Sequence, residues 1–306
     1  MITVIGETII DFVPAGGRSF EAYPGGSPLN VAVGLARLGR PTALMARLAE
    51  DAFGRILRQH AETNGVDLSA SPSATEPATL AVVTLDDAGH ANYDFYRNGT
   101  ADWQWTDTEL AALPARTEIL HTGSLAAWTT PGADRIADLV ERVRDRVLVC
   151  FDPNVRPRLL GSPERVRPLI ERSVAAAHVV KASDEDVAWL YPGDSVAEVA
   201  HRWAAAGPDL VVVTRGDAGV YTTTRGGLVV ERPAIPIRLV DTVGAGDAFT
   251  AGLLDAISVE GTVSGIPADR LAAIVDRAGL VAALTCERPG ADPPTAAEVA
   301  AATARI

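Results

Sequence analysis

Asp241-Thr242-Val243-Gly244-Ala245-Gly246-Asp247 places two glycines and two carboxylates within seven residues. An apolar-periodic run at 248–257 follows and predicts a buried helix, so the glycines fall at its N-terminus. Backbone N–H groups there lack intrahelical acceptors, and the helix dipole favours a negative charge beside them. A first-turn carboxylate can accept a proton from a hydroxyl that attacks a phosphoryl group. The stretch therefore predicts a phosphoryl-transfer site, with Gly244, Ala245 and Gly246 as the anion hole and Asp247 as the base.

Other types of glycine-rich turn fit this stretch less well. A dinucleotide fingerprint needs a third glycine where Phe249 stands, and a P-loop needs a lysine after its last glycine. The chain has a single lysine, Lys181, against 26 arginines, and it ends a strand-like run that indicates a structural role. An ordinary left-handed turn, with Asp247 as a first-turn acid, is the alternative interpretation of the motif.

Length and composition indicate a globular protein. The 306 residues, 47% of them hydrophobic, suffice for one large α/β domain or one domain with a small appendage. Residues 1–6 follow a strand pattern without a basic region or cleavage site, and no apolar run approaches the ~18 residues of a membrane span. The sequence predicts a soluble, cytoplasmic protein with no membrane partner.

Charge and cysteine content argue against two other classes of protein. A net charge of −12 does not suit nucleic-acid binding, which relies on a basic surface. Cys150 and Cys286 lie far apart in apolar segments and indicate neither a disulfide nor a metal site. An acidic protein that binds a polyphosphate must concentrate cations locally, and we expect Mg²⁺ and a few arginines to supply them.

Strand-like and helix-like segments alternate along most of the chain. This alternation predicts a doubly wound α/β fold, whose mostly parallel sheet carries helices on both faces. The predicted strands are residues 3–6, 43–48, 118–122, 147–152, 179–181, 210–214 and 229–237. The predicted helices, besides the one after Asp247, are residues 28–38, 53–64, 133–144, 163–176, 196–206, 269–284 and 296–304. Ser27 is predicted to cap the first of these and Gly39 to end it.

Two segments interrupt the alternation and predict a small β appendage. Residues 79–85 and 91–96 alternate in strand fashion around the turn signal Asp86-Asp87-Ala88-Gly89, and residues 12–23 are non-helical. We expect an α/β core at 1–11, 24–78 and 99–306, with a β lid at 12–23 and 79–98. A lid there would exclude water from phosphoryl transfer, whereas a static hairpin is the alternative.

A second constellation lies near the N-terminus. Residues 25–32 (GGSPLNVA) predict a tight turn into a helix, with Asn30 on its first turn. The Asn30 amide can both donate to and accept from a polyol, and the Asp11 carboxylate, at the end of the first strand segment, can accept two hydroxyl hydrogen bonds. Taken alone, Asn30 is better explained as a solvated helix residue and Asp11 as a turn former.

Together, the early G-G-S-P-L-N-V-A and the late D-T-V-G-A-G-D-A-F resemble the two signatures of the ribokinase-like (PfkB) family of carbohydrate kinases. The resemblance extends over nearly the whole chain and is strongest to bacterial fructokinases. That closer likeness lies in Gly6-Glu7, Asp11, and residues 95–98 (FYRN), 152–156 (DPNVR), 212–216 (VVTRG) and 285–291 (TCERPGA). It implies a doubly wound core with a β lid, ATP as phosphate donor, Mg²⁺ on the phosphates and a sugar hydroxyl as acceptor.

The resemblance also implies roles for individual residues. Asp247 would be the base, and the N–H groups from Gly244 to Asp247 the anion hole. The residues that would hold the sugar are Asp11, Gly26, Asn30 and, from the lid, Arg97. Asn154 and Arg156 would approach the acceptor or the transferring phosphate. The residues that would border the nucleotide are Thr214, Gly216 and Gly219.

Some positions depart from the family pattern. Where the family has an Asn-x-x-Glu motif that organises Mg²⁺ through water, the chain has Ser183-Asp184-Glu185-Asp186, so Asp186 replaces the glutamate with a shorter reach. Gly279 stands near the place of an adenine-side asparagine. Some members bind a monovalent cation around the equivalent of Asp241, and Pro294 lies where a serine can contribute. K⁺ at Asp241 is therefore an open prediction.

D-Fructose is the substrate that the resemblance favours. The alternative is 2-keto-3-deoxygluconate, because its kinases share much of the pattern and Arg97, Arg156 or Arg158 would supply a cation for its carboxylate. A sugar-sensing or scaffolding relative without activity is the non-enzymatic alternative, and the complete G-A-G-D motif counts against it.

The lid pattern also bears on assembly. Its half-apolar alternation, through Val82, Leu85, Tyr93 and Phe95, leaves a small sheet that is marginal unless its second face is covered. The resemblance to ribokinase-like dimers favours a homodimer through the lid, although the sugar-bound core would also cover that face.

Overall fold

The computed structural model describes residues 1–85 and 91–304. The predicted turn at Asp86-Asp87-Ala88-Gly89 lies outside these residues, as do the side chains of Leu85 and Tyr93. The strands are β1 (Ile2–Ile5), β2 (Ile9–Pro14), β3 (Phe20–Gly25), β4 (Thr42–Met45), β5 (Leu48–Ala49), β6 (Ser73–Ala74), β7 (Thr79–Leu85), β8 (Ala91–Tyr96), β9 (Ile119–Gly123), β10 (Leu148–Asp152), β11 (Val179–Ser183), β12 (Leu210–Thr214), β13 (Val220–Thr224) and β14 (Val229–Arg232).

Helices connect most of these strands. They are α1 (Ser27–Arg37), α2 (Ala52–Thr63), α3 (Asp107–Leu110), α4 (Gly132–Val143), α5 (Pro157–Leu160), α6 (Pro163–Ala176), α7 (Asp184–Leu190), α8 (Val196–Ala206), α9 (Ala245–Glu260), α10 (Ala268–Cys286) and α11 (Ala296–Thr303). Among the described residues, no helix has the length and apolar character required to cross a membrane.

The main sheet has eight strands in the order β14-β13-β12-β11-β10-β9-β1-β4. The strands from β12 to β4 run parallel, whereas β13 and β14 form an antiparallel edge. From β1 the chain passes first to β4 on one side and later to β9 on the other, which makes a topological switch point. In such sheets, ligands bind outside the carboxyl ends of the strands near that point.

Helices cover both faces of this sheet. Successive residues of β12 alternate between two cores, with Val212 in the core that contains α1, α9 and α10, and Val211 in the core that contains α4, α6 and α8. Because both faces are buried, the parallel strands appear in the sequence as continuous apolar runs. The doubly wound fold that the alternation predicts is confirmed.

A separate four-stranded sheet has the order β3-β2-β7-β8. Strands β2 and β3 form a hairpin, β2 pairs parallel with β7, and β7 pairs antiparallel with β8. The first arm runs from Ile9 to Gly25 and is therefore longer than the predicted segment 12–23. Asp11 lies within β2 of this sheet, so its predicted place at the end of the first strand was wrong.

Other differences from the prediction have local causes. Strand β13 was missed because it is rich in threonine, and Thr222 and Thr223 are fully buried although they are polar. The last predicted strand ends at Arg232 and does not continue to residue 237. Helix α7 was also missed, although Ser183 and Asp186 form a capping box at its start.

Candidate active site

A cleft of about 910 Å³ lies at the carboxyl ends of the parallel strands, between the main sheet and the small sheet. Most of the predicted site residues line it, namely Asp11, Gly26, Asn30, Asn154, Arg156, Ser183, Asp186, Thr214, Gly216, Gly244, Gly246 and Asp247. Of the predicted residues, Ala245, Arg97, Gly219, Gly279 and Asp241 are not part of its lining in the described chain. The fold therefore gathers residues from distant parts of the sequence into one cavity.

The N-terminus of α9 forms one end of the cleft. Gly244 is its N-cap, with a φ of 75°, and a Cβ at this position would lie 2.6 Å from the Cβ of Ala291. Glycine is thus required by both conformation and space. Within residues 1–85 and 91–304, the N–H groups of Gly244, Gly246 and Asp247 have no protein acceptor, whereas the Ala245 N–H donates to the Thr242 carbonyl at 3.2 Å. Three N–H groups are therefore available for an anion.

Two side chains from α1 hold the Asp247 carboxylate. Ser27 Oγ donates to Asp247 Oδ1 at 2.6 Å, and Asn30 Nδ2 donates to Asp247 Oδ2 at 2.8 Å. The predicted capping role of Ser27 was wrong, since Gly26 is the N-cap and the helix begins at Ser27 itself. The Ser27 hydroxyl instead donates its hydrogen bond to Asp247 in the late motif. The amide oxygen of Asn30 remains for a ligand in the cleft.

The environment of Asp247 acts on its acidity in two directions. Burial raises the pKa of this carboxyl above its ordinary value. The hydrogen bonds from Ser27 and Asn30 and the positive charge of Lys181 lower that pKa, while the charge of Asp152 raises it again. A carboxylate with a raised pKa is a stronger base than an exposed aspartate, provided that its neighbours keep it ionised.

Asp11, Asn154 and Arg156 form a second group in the lining of the cleft. Burial raises the pKa of Asp11 to about 6, and the Arg156 guanidinium partly opposes this rise. Arg156 Nη1 donates to Asn154 Oδ1 at 2.6 Å, and Asn154 has a left-handed φ of 38°. Asparagine tolerates that conformation better than most residues. A carboxylate, an amide and a guanidinium suit a ligand with several hydroxyl groups.

Lys181 was missed as a site residue. Its ammonium lies in the cleft, where Nζ donates to Asp152 Oδ2 at 2.9 Å, and a Cβ at Gly246 would lie only 3.2 Å from Nζ. The interpretation of Lys181 as structural rested on its strand-like neighbours alone. The one available signal was compositional, because a chain that uses arginine at its other 26 basic positions has lysine here.

The predicted metal-organising residue Asp186 is buried at the start of α7. Its Oδ1 accepts from the Val155 N–H and its Oδ2 from the Ser183 N–H, both at 2.8 Å. Across the described chain, no three histidine, cysteine or acidic residues are grouped closely enough to hold a metal ion. This arrangement fits Mg²⁺, which keeps several waters and binds mainly through phosphate oxygens, better than an ion enclosed by protein ligands.

The nucleotide-side residues are placed less uniformly. Thr214 and Gly216 line the cleft, and nothing lies within 4 Å of a Cβ built at Gly216. Gly219 packs against the backbone, since its Cβ would be 2.1 Å from the Arg232 carbonyl oxygen. Gly279, on α10, faces Ile235, whose Cδ1 would be 3.7 Å from an added Cβ. Gly216 therefore leaves open surface in the cleft, whereas Gly219 allows two backbone segments to approach closely.

Asp241 and Arg97 lie beside the cleft. Asp241 joins two loops, since its carboxylate accepts from the Gly290 N–H at 2.7 Å and from the Val243 N–H at 3.0 Å. The Arg97 carbonyl accepts from Trp103 Nε1 at 2.9 Å, which fixes the backbone just after β8. The predicted roles of both residues stay predictions.

The chain matches the pfkB family of carbohydrate kinases over residues 1–298. It belongs to this family. A fructokinase of Klebsiella pneumoniae is 35% identical to this kinase over 288 residues, which cover 93% of the present chain and 91% of the relative.

Solved structures are similar to the kinase over almost its whole length. Fructokinase from Vibrio cholerae O395, in its fructose-, ADP- and calcium-bound form, has a TM-score of 0.86 at 29% identity and covers 98% of both chains. Aminoimidazole riboside kinase from Salmonella enterica, complexed with aminoimidazole riboside and an ATP analog, also has a TM-score of 0.86, at 26% identity and 98% coverage of both chains. The ribokinase-like architecture and the carbohydrate kinase class are thus established for this chain.

Proposed function

We propose that this kinase transfers the γ-phosphate of ATP to a hydroxyl of D-fructose, with Asp247 as the general base. The observation that carries the proposal is the pair of hydrogen bonds from Ser27 and Asn30 to Asp247. These bonds join the early and late motifs on one carboxylate, beside helix N–H groups that have no protein acceptor among the described residues. A sugar hydroxyl that gives its proton to Asp247 can attack a phosphoryl group beside these N–H groups. The N–H groups would then stabilise the negative charge that develops on the phosphoryl oxygens.

Each part of the cleft then has a task in the transfer. Asp11 and the free amide oxygen of Asn30 accept hydrogen bonds from sugar hydroxyls and orient the acceptor. Asp247 takes the proton of the attacking hydroxyl, and the N–H groups of Gly244 and Gly246 stabilise the charge on the phosphoryl oxygens. Catalysis of this kind depends mainly on positioning and electrostatics.

Cations complete the proposed site. Mg²⁺, when bound with ATP, neutralises charge on the phosphates. Asp186 would orient it through water, with Ser183 at the start of the same helix. Asp241 holds the loop in which we propose a K⁺ site. A comparison of initial rates in potassium, sodium and tetramethylammonium chloride tests that site, and equal rates would contradict it.

The choice of fructose rests on the similarity to fructokinases, including one solved with fructose. The alternative, 2-keto-3-deoxygluconate, draws support from Arg156 and Arg158, because both arginines line the cleft and would pair with a carboxylate. Competition between the two substrates for kcat/KM decides between them. A hundredfold preference for the acid would reverse the assignment. Release of ADP with none of a panel of sugars, including both candidates, would favour the non-enzymatic alternative.

Replacement of the base tests the mechanism. Asp247→Asn keeps the size of the side chain and is expected to lower kcat by about 10² or more while sugar still binds. Asp269→Asn is the matched control, because Asp269 is also a first-turn aspartate but lies exposed on α10. Turnover of Asp247→Asn within a few fold of the wild type would exclude Asp247 as the base.

A second copy of the chain is the partner that we propose for the small sheet. Val13 and Tyr23 lie on the same face as Asp11 but beyond the core, where they are 37% and 48% exposed. Apolar groups of this size favour contact with another surface. Analytical ultracentrifugation is expected to show a dimer. A mass near 32 kDa at every concentration would contradict it.

A further inference from the structure

One ammonium group lies among three carboxylates at the floor of the cleft. Lys181 is on β11, Asp152 ends β10, and Asp186 and Asp247 lie in the first turns of α7 and α9. The side chains of Lys181 and Asp152 are only 6% and 2% exposed, and their ion pair measures 2.9 Å. A buried carboxylate cluster of this kind is stable only if positive charge accompanies it.

The position of Nζ connects this cluster to the anion hole. The ammonium has three donors, and one of them is used by Asp152. Nζ also lies beside Gly246, where an added Cβ would be 3.2 Å away. Gly246 immediately precedes Asp247, so the charge of Lys181 acts both on the base and on the place where the phosphoryl group would be held.

Among the strands that the structure describes, those next to Lys181 supply no second positive charge to this cluster. His121, on β9, is fully buried, and burial together with the charge of Lys181 lowers its pKa to about 3, so its imidazole is neutral. Asp152 and Asp186 face Lys181 from β10 and α7, and each adds negative charge. The charge of Arg156 acts on Asp11.

We propose that Lys181 is a positioning residue for phosphoryl transfer: its ammonium anchors Asp152 and supplies the counter-charge that keeps Asp247 ionised. This inference rests on the proposed role of Asp247 as the base. Lys181 would therefore do more than neutralise Asp152, because the base Asp247 must be ionised to accept a proton. The two neighbouring charges oppose each other at Asp247, because Lys181 lowers the pKa of this carboxyl while Asp152 raises it.

The size of the group explains why lysine stands here. An ammonium is compact, whereas a guanidinium is a broad planar fork. Because both Gly246 and Asp152 lie close to Nζ, the larger guanidinium of an arginine at position 181 would crowd the anion hole. Lys181→Arg is therefore expected to raise the KM for ATP rather than to substitute for lysine.

The test uses a neutral side chain of similar length. Lys181→Met is expected to lower kcat about 30-fold, to change the sugar KM less than threefold, and to move the acid limb of the kcat profile up by about one pH unit. A merely structural role would lower the thermal midpoint without moving that limb. An unchanged acid limb with kcat within threefold of the wild type would overturn the proposal.

A second variant covers the case in which the methionine protein does not fold. Lys181→Cys treated with 2-bromoethylamine carries an ammonium at nearly the original length, and treated wild-type protein controls for reaction at Cys150 and Cys286. Restored kcat and a restored acid limb support the proposal, and restoration of neither overturns it. Wild-type protein that phosphorylates no sugar would instead refute the proposed function, so the two failures are distinguishable.

Discussion

The floor of the cleft and the small sheet above it are built in contrasting ways. At the floor, the carboxylates of Asp152, Asp186 and Asp247 each accept two hydrogen bonds, and each accepts at least one from a distant segment of the chain. In the small sheet, Tyr23 and Tyr96 are 48% and 62% exposed and the strands extend beyond the core. With the roles proposed above, the chemistry would lie on the side of the cleft with more hydrogen bonds and substrate capture on the side with fewer restraints.

Gly25→Ala is expected to give the largest effect at the point where these regions meet. A Cβ at this position would lie 2.2 Å from Asp11 Oδ2, so the carboxylate must turn away from its present place. We expect the sugar KM to rise about 100-fold and the ATP KM to stay unchanged, because binding of the acceptor alone is lost.

Gly226→Ala is the matched control for this change. The nearest atom to its added Cβ is Thr224 Oγ1, at 3.8 Å, so no displacement is needed. Steady-state kinetics of both variants give the comparison. Equal KM values for Gly25→Ala and the control would show that the Asp11 carboxylate does not hold the sugar.

The acidity of Asp11 predicts a smaller, pH-dependent effect. Burial raises its pKa to about 6, so the carboxylate is ionised above that pH and accepts two hydroxyl hydrogen bonds. Below it, the protonated form loses part of this capacity, and the sugar KM should rise roughly tenfold per pH unit. Asp11→Asn should show a high KM that varies little between pH 5 and 8, in contrast to the wild type. A flat wild-type KM over the same range would contradict the role of Asp11.

The smallest expected effect concerns motion of the small sheet. If it closes over bound sugar, amides of β7 and β8 should exchange a few fold more slowly with saturating fructose, while those of α6 remain unchanged. Hydrogen exchange read by mass spectrometry checks this. Identical exchange of β7 and β8 with and without sugar would make the sheet a static wall.

The sequence predicted best the elements whose local pattern agrees with their final environment. Helices α6 and α8 were predicted with their observed bounds, since apolar periodicity and start signals coincide there. The G-A-G-D turn was likewise recognisable, because glycine at Gly244 is required by conformation and by the approach of Ala291. Such features depend on a few adjacent residues.

Features that depend on distant residues were not predictable. The bond between Ser27 and Asp247 spans 220 positions, and without it Ser27 is indistinguishable from an ordinary helix cap. Lys181 acquires its role only when β10, β11 and α9 lie side by side. The sequence pattern around a polar residue on a strand does not show which residue of a neighbouring strand it will contact. The buried lysine was therefore missed as a site residue.

The position of β1 between β9 and the edge strand β4 has a consequence for the folding of the enzyme. Ile2–Ile5 pairs with β4 on one edge and with β9 on the other, and the N-terminal ammonium meets Glu118, 117 positions along the chain. Closing loops of this length costs chain entropy before the contacts between the strands can stabilise the sheet. Such non-local pairing slows folding. The turn after β1 also carries Glu7 into the wall of the cleft. The wall of the cleft at Glu7 is therefore complete only after residues more than 100 positions apart have paired with the first strand.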